Sequence, residues 1–183
     1  ALSLVADNHE NMLLIARNPM LYRLGLLGLV ANQVAFILLP LLLWRLLHAH
    51  GHLLAALMVA FALVGVPLAL SAVALRLDAL ATDGTAAVAM LDAARNRMLM
   101  AMLFWGLWLL PLGLLVWRAR SAPRLLALLL MLGCLGYVAQ VVIEMLALHP
   151  AGLLESLIRL PAPLGEIGLA LWLSLFGGRH MAK

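Results

Sequence analysis

The chain has 183 residues, 66% hydrophobic and 11% charged, with a net charge of +4 and a mean hydropathy of +1.10. Soluble domains are about 45–50% apolar and about 25% charged, so this much apolar side chain has no room inside a water-soluble fold of this length. Intrinsic disorder is excluded by the same figures, which leaves an integral membrane protein.

The twelve Lys and Arg residues are scattered between apolar runs. They form no basic stripe for phosphates, so the expected partners include no nucleic acid. Basic residues in these places answer to membrane orientation and anionic headgroups. The single cysteine, Cys134, excludes a disulfide framework, a cysteine zinc site and a thiol-redox pair within one chain.

Residues 1–20 are expected to form an interfacial segment. Asp7, Glu10 and Arg17 come before any long apolar stretch, and there is no basic leader, so the start does not read as a signal peptide. Asp7 followed by Glu10 reads as a capping box for a short helix that ends at Asn18-Pro19. The first span is predicted over 24–44, between Arg23 and Arg45. The second covers 53–75, after the tight His48–His52 connection. Arg76–Arg97 follows with a turn at Asp83-Gly84, and its Ala-rich part, Thr85–Arg97, is expected to run as helix into a third span over 98–117.

The fourth span, 125–148, starts after Arg124 and continues past Glu144. The fifth, 160–178, contains Pro161, Pro163 and Glu166. Proline favours the first helical position, so its helix is expected to start near Pro163 and stop at Gly177-Gly178, with Leu160–Ala162 extended. A crossing needs roughly 20 helical residues, and all five runs reach that length or nearly so. The fold class is thus an all-α, polytopic transmembrane helical bundle, a single integral-membrane domain over 1–183.

Five spans put the termini on opposite sides. Arg45, Arg118, Arg120, Arg124, Arg179 and Lys183 lie in short segments of one side, beside Trp44 and Trp117. Short loops weigh most in the positive-inside rule, so the C-terminus is expected in the cytoplasm.

Several stretches resemble a bacterial membrane family. They are Phe104-Trp105-Gly106-Leu107-Trp108-Leu109-Leu110-Pro111-Leu112-Gly113, Ser121-Ala122-Pro123-Arg124, Gly133, Gly136-Tyr137 and Leu164-Gly165-Glu166-Ile167-Gly168-Leu169-Ala170-Leu171-Trp172-Leu173. Pro19–Arg23 and the Leu57–Pro67 region fit it too. The family is known as domain of unknown function 4386. The resemblance covers nearly the whole chain and implies a multi-span protein of the bacterial cytoplasmic (inner) membrane, with no established activity. It also implies a further apolar helix ahead of the segment that opens here. The His48-Ala49-His50-Gly51-His52 run departs from the mixed polar loop expected at that place.

Polar groups within spans are costly and often functional. Asn32 lies about 12 Å into the first span, and Gln140 lies at about the same depth on the fourth. Tyr137, Gln140 and Glu144 share a helix face by spacing. Ser71 ends the second span and Glu166 opens the fifth on that same side. These six residues define a candidate intramembrane polar pocket open to the non-cytoplasmic side, with Arg23, Arg76, Arg97 or Arg159 as counter-charges at the rim. The alternative is hydrogen bonding between helices. His48 and His52 form a weak metal candidate, since on a helix they share a face; a solvated interfacial loop is the competing reading. Gly25/Gly28, Ala56/Ala60 and Gly133/Gly136 are expected to permit close helix approach.

No span holds a histidine, the only lysine is Lys183, and no catalytic or phosphate-binding motif is present. No cofactor is expected. The leading expectation is a non-enzymatic membrane protein acting through the lipid bilayer, a homo-oligomer or a membrane-protein partner. The alternative is a small-solute or proton-linked transporter using the pocket around Glu144 and Glu166.

Overall fold

The computed structural model describes residues 17–148 and 152–180, the side chains of 153–155 and 177–180 excepted. The expected capping box at Asp7 and Glu10 lies outside the described residues. Helix α1, Pro19–Leu47, begins five residues before the predicted boundary because Asn18 caps it. The Asn18 Oδ1 accepts a hydrogen bond from the Leu21 N–H at 3.1 Å, and Pro19 takes the first helical position, where its missing N–H costs nothing. A 3₁₀ turn, His48–His50, leads through Gly51 into α2, His52–Ala79.

The turn expected at Asp83-Gly84 lies earlier, at Leu80-Ala81, where the N–H groups donate to Leu77 O and Asp78 O, and Gly84, at φ +65°, opens the next helix. The Ala-rich stretch and the third span form one helix, α3, Gly84–Leu107. Trp108 separates it from α4, Leu109–Ala119. Pro111 explains the break, since it cannot donate to the Leu107 carbonyl and its ring crowds that group. The ladder resumes through Trp108, whose N–H donates to Phe104 O at 3.1 Å and whose carbonyl accepts from Leu112 N at 3.2 Å. Left-handed Arg120 (φ 50°) ends α4.

Helix α5, Arg124–Met145, stops three residues before the predicted 148, and Ala147 turns the chain at φ 49°. Two further features correct the sequence reading. A short helix, α6, Gly152–Arg159, precedes the last span. The last helix, α7, Pro161–His180, starts at Pro161 rather than Pro163, so Pro161–Ala162 is helical rather than extended. It also continues past Gly177-Gly178.

Five stretches are long and apolar enough to cross a membrane: Pro19–His50, His52–Ala79, Gly84–Ala119, Arg124–Met145 and Ser156–Phe176. Outside them the described residues hold the start of α6, the end of α7, turns and coil, without strands.

In lipid there is no hydrophobic drive between helices, and packing takes its place. Each helix therefore turns inward a stripe chosen by size and shape. On α2 the buried stripe is Ala55, Met58, Ala62, Gly65, Ala69, Ala72, Arg76 and Ala79, spaced alternately by three and four. Ala87, Leu91, Ala94, Met98 and Ala101 repeat that spacing on α3, and Trp108, Leu112 and Leu115 carry it through α4. On α1, Tyr22, Leu26, Gln33, Pro40, Leu43 and Leu47 occupy the same kind of stripe. A seven-residue repeat is the signature of left-handed, knobs-into-holes packing.

The chain divides into two compact units, Ala1–Leu39 with Leu63–Ala101, and Pro40–Ala62 with Met102–Lys183. In the first, Tyr22, Leu26 and Val73 form a core cluster flanked by Leu29 and Leu80. In the second, α5 is the central element and packs against α4, α6 and α7.

Candidate functional site

Tyr137 lies on α5, the helix that packs against α4, α6 and α7, and glycines bring its surroundings close. A β-carbon at Gly133 would lie 2.8 Å from Ala162 Cα, and one at Gly165 would lie 2.9 Å from Leu130 N. One at Gly136 would run onto the Ile158 carbonyl. The backbones of α5 and α7 are thus nearly in contact, with the end of α6 against the same face. Tyr137 adjoins Gly136 and Glu166 adjoins Gly165, so this seam sets phenol and carboxyl within electrostatic reach of one another. Gly106 of α3 completes the enclosure, since a β-carbon there would fall onto the Tyr137 side chain. Both polar groups are partly buried.

Gln140, one turn beyond Tyr137 on the same face of α5, is also partly buried, whereas Glu144 is exposed in the last turn of the helix. Asn32 and Ser71 belong to the other unit. Asn32 is exposed, and Ser71 donates its hydroxyl to the Leu68 carbonyl of its own helix at 2.8 Å. Of the six candidates, Tyr137 and Glu166 are the two within electrostatic reach of one another. Among the proposed counter-charges, Arg23, Arg97 and Arg159 are exposed. Arg76 corrects the rim assignment: it is only 2% exposed, because it falls on the inward stripe of α2, within electrostatic reach of Tyr22.

The histidine pair is real, though not by continuous helical geometry. The 3₁₀ turn and Gly51 bring the rings of His48 and His52 edge to face at 6.3 Å. Both rings meet Trp44, at 6.3 Å stacked for His48 and 5.0 Å edge-on for His52. His48 Nδ1 also lies 3.1 Å from the Trp44 carbonyl oxygen. Among the described residues no group of three metal-ligating side chains assembles. The arrangement is an aromatic cluster at the end of a span, and Arg124 stacks over Trp117 at 5.2 Å near the end of another.

The sequence reading passed over Gln33. It is 2% exposed, and its Oε1 has no hydrogen-bond partner. Its neighbour Asn32, the residue singled out from sequence, faces outward. The heptad through Tyr22, Leu26, Leu29, Gln33, Phe36 and Pro40 is the pattern that marks Gln33 as inward. The small-residue heptad of α2 marks Arg76 in the same way.

Five helical stretches long and apolar enough to cross a bilayer make this a multi-pass α-helical membrane protein. Residues 2–177 match the family model described as Domain of unknown function (DUF4386), and the chain belongs to that family. Neither the curated proteins nor the solved structures provide a match.

Proposed function

We propose that this protein is a non-enzymatic component of the bacterial cytoplasmic membrane that acts through lateral contacts with a protein partner or lipids. Asn32 carries the reading. It is the fourteenth of the 29 residues of α1, near the middle of a crossing, and it is exposed. An amide facing hydrocarbon is unfavourable, and a partner helix that offers a hydrogen bond removes the penalty. A second copy satisfies it symmetrically, Asn32 to Asn32. The test is energy transfer between labelled copies in vesicles. Asn32→Leu is expected to weaken association by about 0.6–2 kcal/mol, roughly threefold to thirtyfold. Association equal to the wild type refutes the reading.

The same reading puts the C-terminus on the cytoplasmic side. Support comes from Arg45, Arg118, Arg120 and Arg124, all exposed around the two short connections beside Trp44 and Trp117. Arg120→Cys, combined with Cys134→Ala, is expected to react only with a thiol reagent admitted to the cytoplasmic side.

The Tyr137–Glu166 pair favours a second reading, transport of a small solute or a proton. A carboxyl and a phenol in an apolar bundle can hold a proton or a polar solute between them. Under this reading Glu166→Gln abolishes uptake in proteoliposomes, and unchanged uptake excludes the pair from the path.

A further inference from the structure

A recess of about 310 Å³ opens on the first unit between the start of α1 and the end of α2. Its lining includes Arg23, Leu24, Leu27, Val30, Val73 and Leu77. Buried Val73 contributes to the floor, while Leu24, Leu27 and Leu77 stand exposed as walls. Arg23 is the one charged residue of the lining. Asp78, the neighbour of Leu77, is exposed and forms no part of it.

The placement of charge and hydrocarbon has a direction. Arg23 is the fifth residue of α1, and the span predicted from sequence begins at the residue after it. Val30 lies about 10 Å deeper. A cation at the boundary with an apolar channel running inward matches an anionic phospholipid, its phosphate outward and one acyl chain inward. A second helix is the poorer occupant, because helix docking in membranes favours small residues, and the apolar lining here is Leu and Val, with Met20.

We propose that this recess is a binding site for one acyl chain of an anionic phospholipid whose phosphate pairs with Arg23. The site is distinct from the Asn32 face, which lies across the buried stripe of the same helix, and it stands whether or not that face binds a partner.

The test is native mass spectrometry of the full chain in mild detergent, titrated with phosphatidylglycerol or phosphatidylcholine of identical oleoyl chains. One phosphatidylglycerol is expected per chain, preferred about fivefold, the effect of one basic residue at a membrane surface. Arg23→Gln should erase the preference without changing phosphatidylcholine binding, and Arg23→Lys should keep it. Leu27→Trp, which fills the recess from an exposed wall, should weaken both lipids. Arg45→Gln, at an exposed cation of the other unit, should leave the preference intact. The proposal is overturned if Arg23→Gln keeps the preference or if Arg45→Gln loses it equally. It is overturned as well if Leu27→Trp binds both lipids like the wild type, or if soluble glycerol 3-phosphate displaces the lipid, since the chain is then not what is held. Melting curves of each variant establish that the fold is retained.

Discussion

Adding one methyl group to the seam between α5 and α7 should separate the glycines of this chain into classes. At Gly133 the new β-carbon would stand 2.8 Å from Ala162 Cα and 3.0 Å from Ala162 Cβ. Reaching an ordinary contact of 3.4 Å requires the helices to part by about 0.6 Å. Gly165 faces the same problem from the other side, at 2.9 Å from Leu130 N. None of these neighbours can rotate away, because each is backbone or a β-carbon. A gap of about 0.5–1 Å forfeits a quarter to a half of each dispersion contact along the seam, and overpacking of this kind costs about 1–3 kcal/mol. At Gly168 the obstacle is Leu126 Cδ2 at 2.6 Å, the flexible end of a side chain, so the cost should stay below about 1 kcal/mol. Gly28 has nothing within 4 Å, and alanine there should gain about 0.5–1 kcal/mol from helix propensity. Reversible unfolding of the alanine variants in mixed micelles measures the order. The reasoning fails if Gly133→Ala and Gly165→Ala are as stable as Gly28→Ala.

Three other perturbations test separate contacts. Trp172 donates its indole N–H to the Ser121 carbonyl at 2.9 Å, tying α7 to the α4–α5 connection. Trp172→Phe should cost about 1 kcal/mol in the same unfolding assay. Gln33→Leu removes a buried oxygen that lacks a hydrogen-bond partner, so stability should be unchanged or higher by up to about 1 kcal/mol; a loss above that amount would mean that the amide is engaged. Zinc titration followed by calorimetry should show no site that depends on His48 and His52, because the pair lacks a third ligand among the described residues. Submicromolar binding abolished by His48→Ala would overturn that expectation.

Much of the architecture was legible in the sequence because one physical requirement dominates it. A helix that crosses hydrocarbon must satisfy its own backbone and be apolar over its whole length. The composition and the spacing of arginines therefore located five crossings. A break near Asp83-Gly84 was readable from local chemistry, though the turn itself lies at Leu80-Ala81, and the run of α3 from the Ala-rich stretch into a span was readable too. The boundaries moved where a local device outweighed hydropathy. Asn18 capped α1 early, Pro111 interrupted the third span at Trp108, and Pro161 rather than Pro163 opened α7. The short helix α6 went unread because hydropathy alone selects for crossings.

The candidate site was legible only in part. Glu166 and Tyr137 stood out as polar groups in apolar runs, but the sequence did not pair them. That pairing follows from Gly133, Gly136 and Gly165, which let two backbones come within contact distance. Asn32 and Gln33 show the limit most plainly, being adjacent amides of which one is exposed and one buried.

The 66% apolar, 11% charged composition by itself determined that the chain lives in a membrane, and the spacing of its apolar runs located five crossing-length stretches among the described residues. Only the tertiary structure decided which face of each helix turns inward, so that Arg76 and Gln33 are buried and Asn32 is not. In water a buried face is more hydrophobic than an exposed one, and hydropathy reveals it. In lipid both faces are apolar, and the inward face is selected by how side chains recurring every three and four positions fit their neighbours.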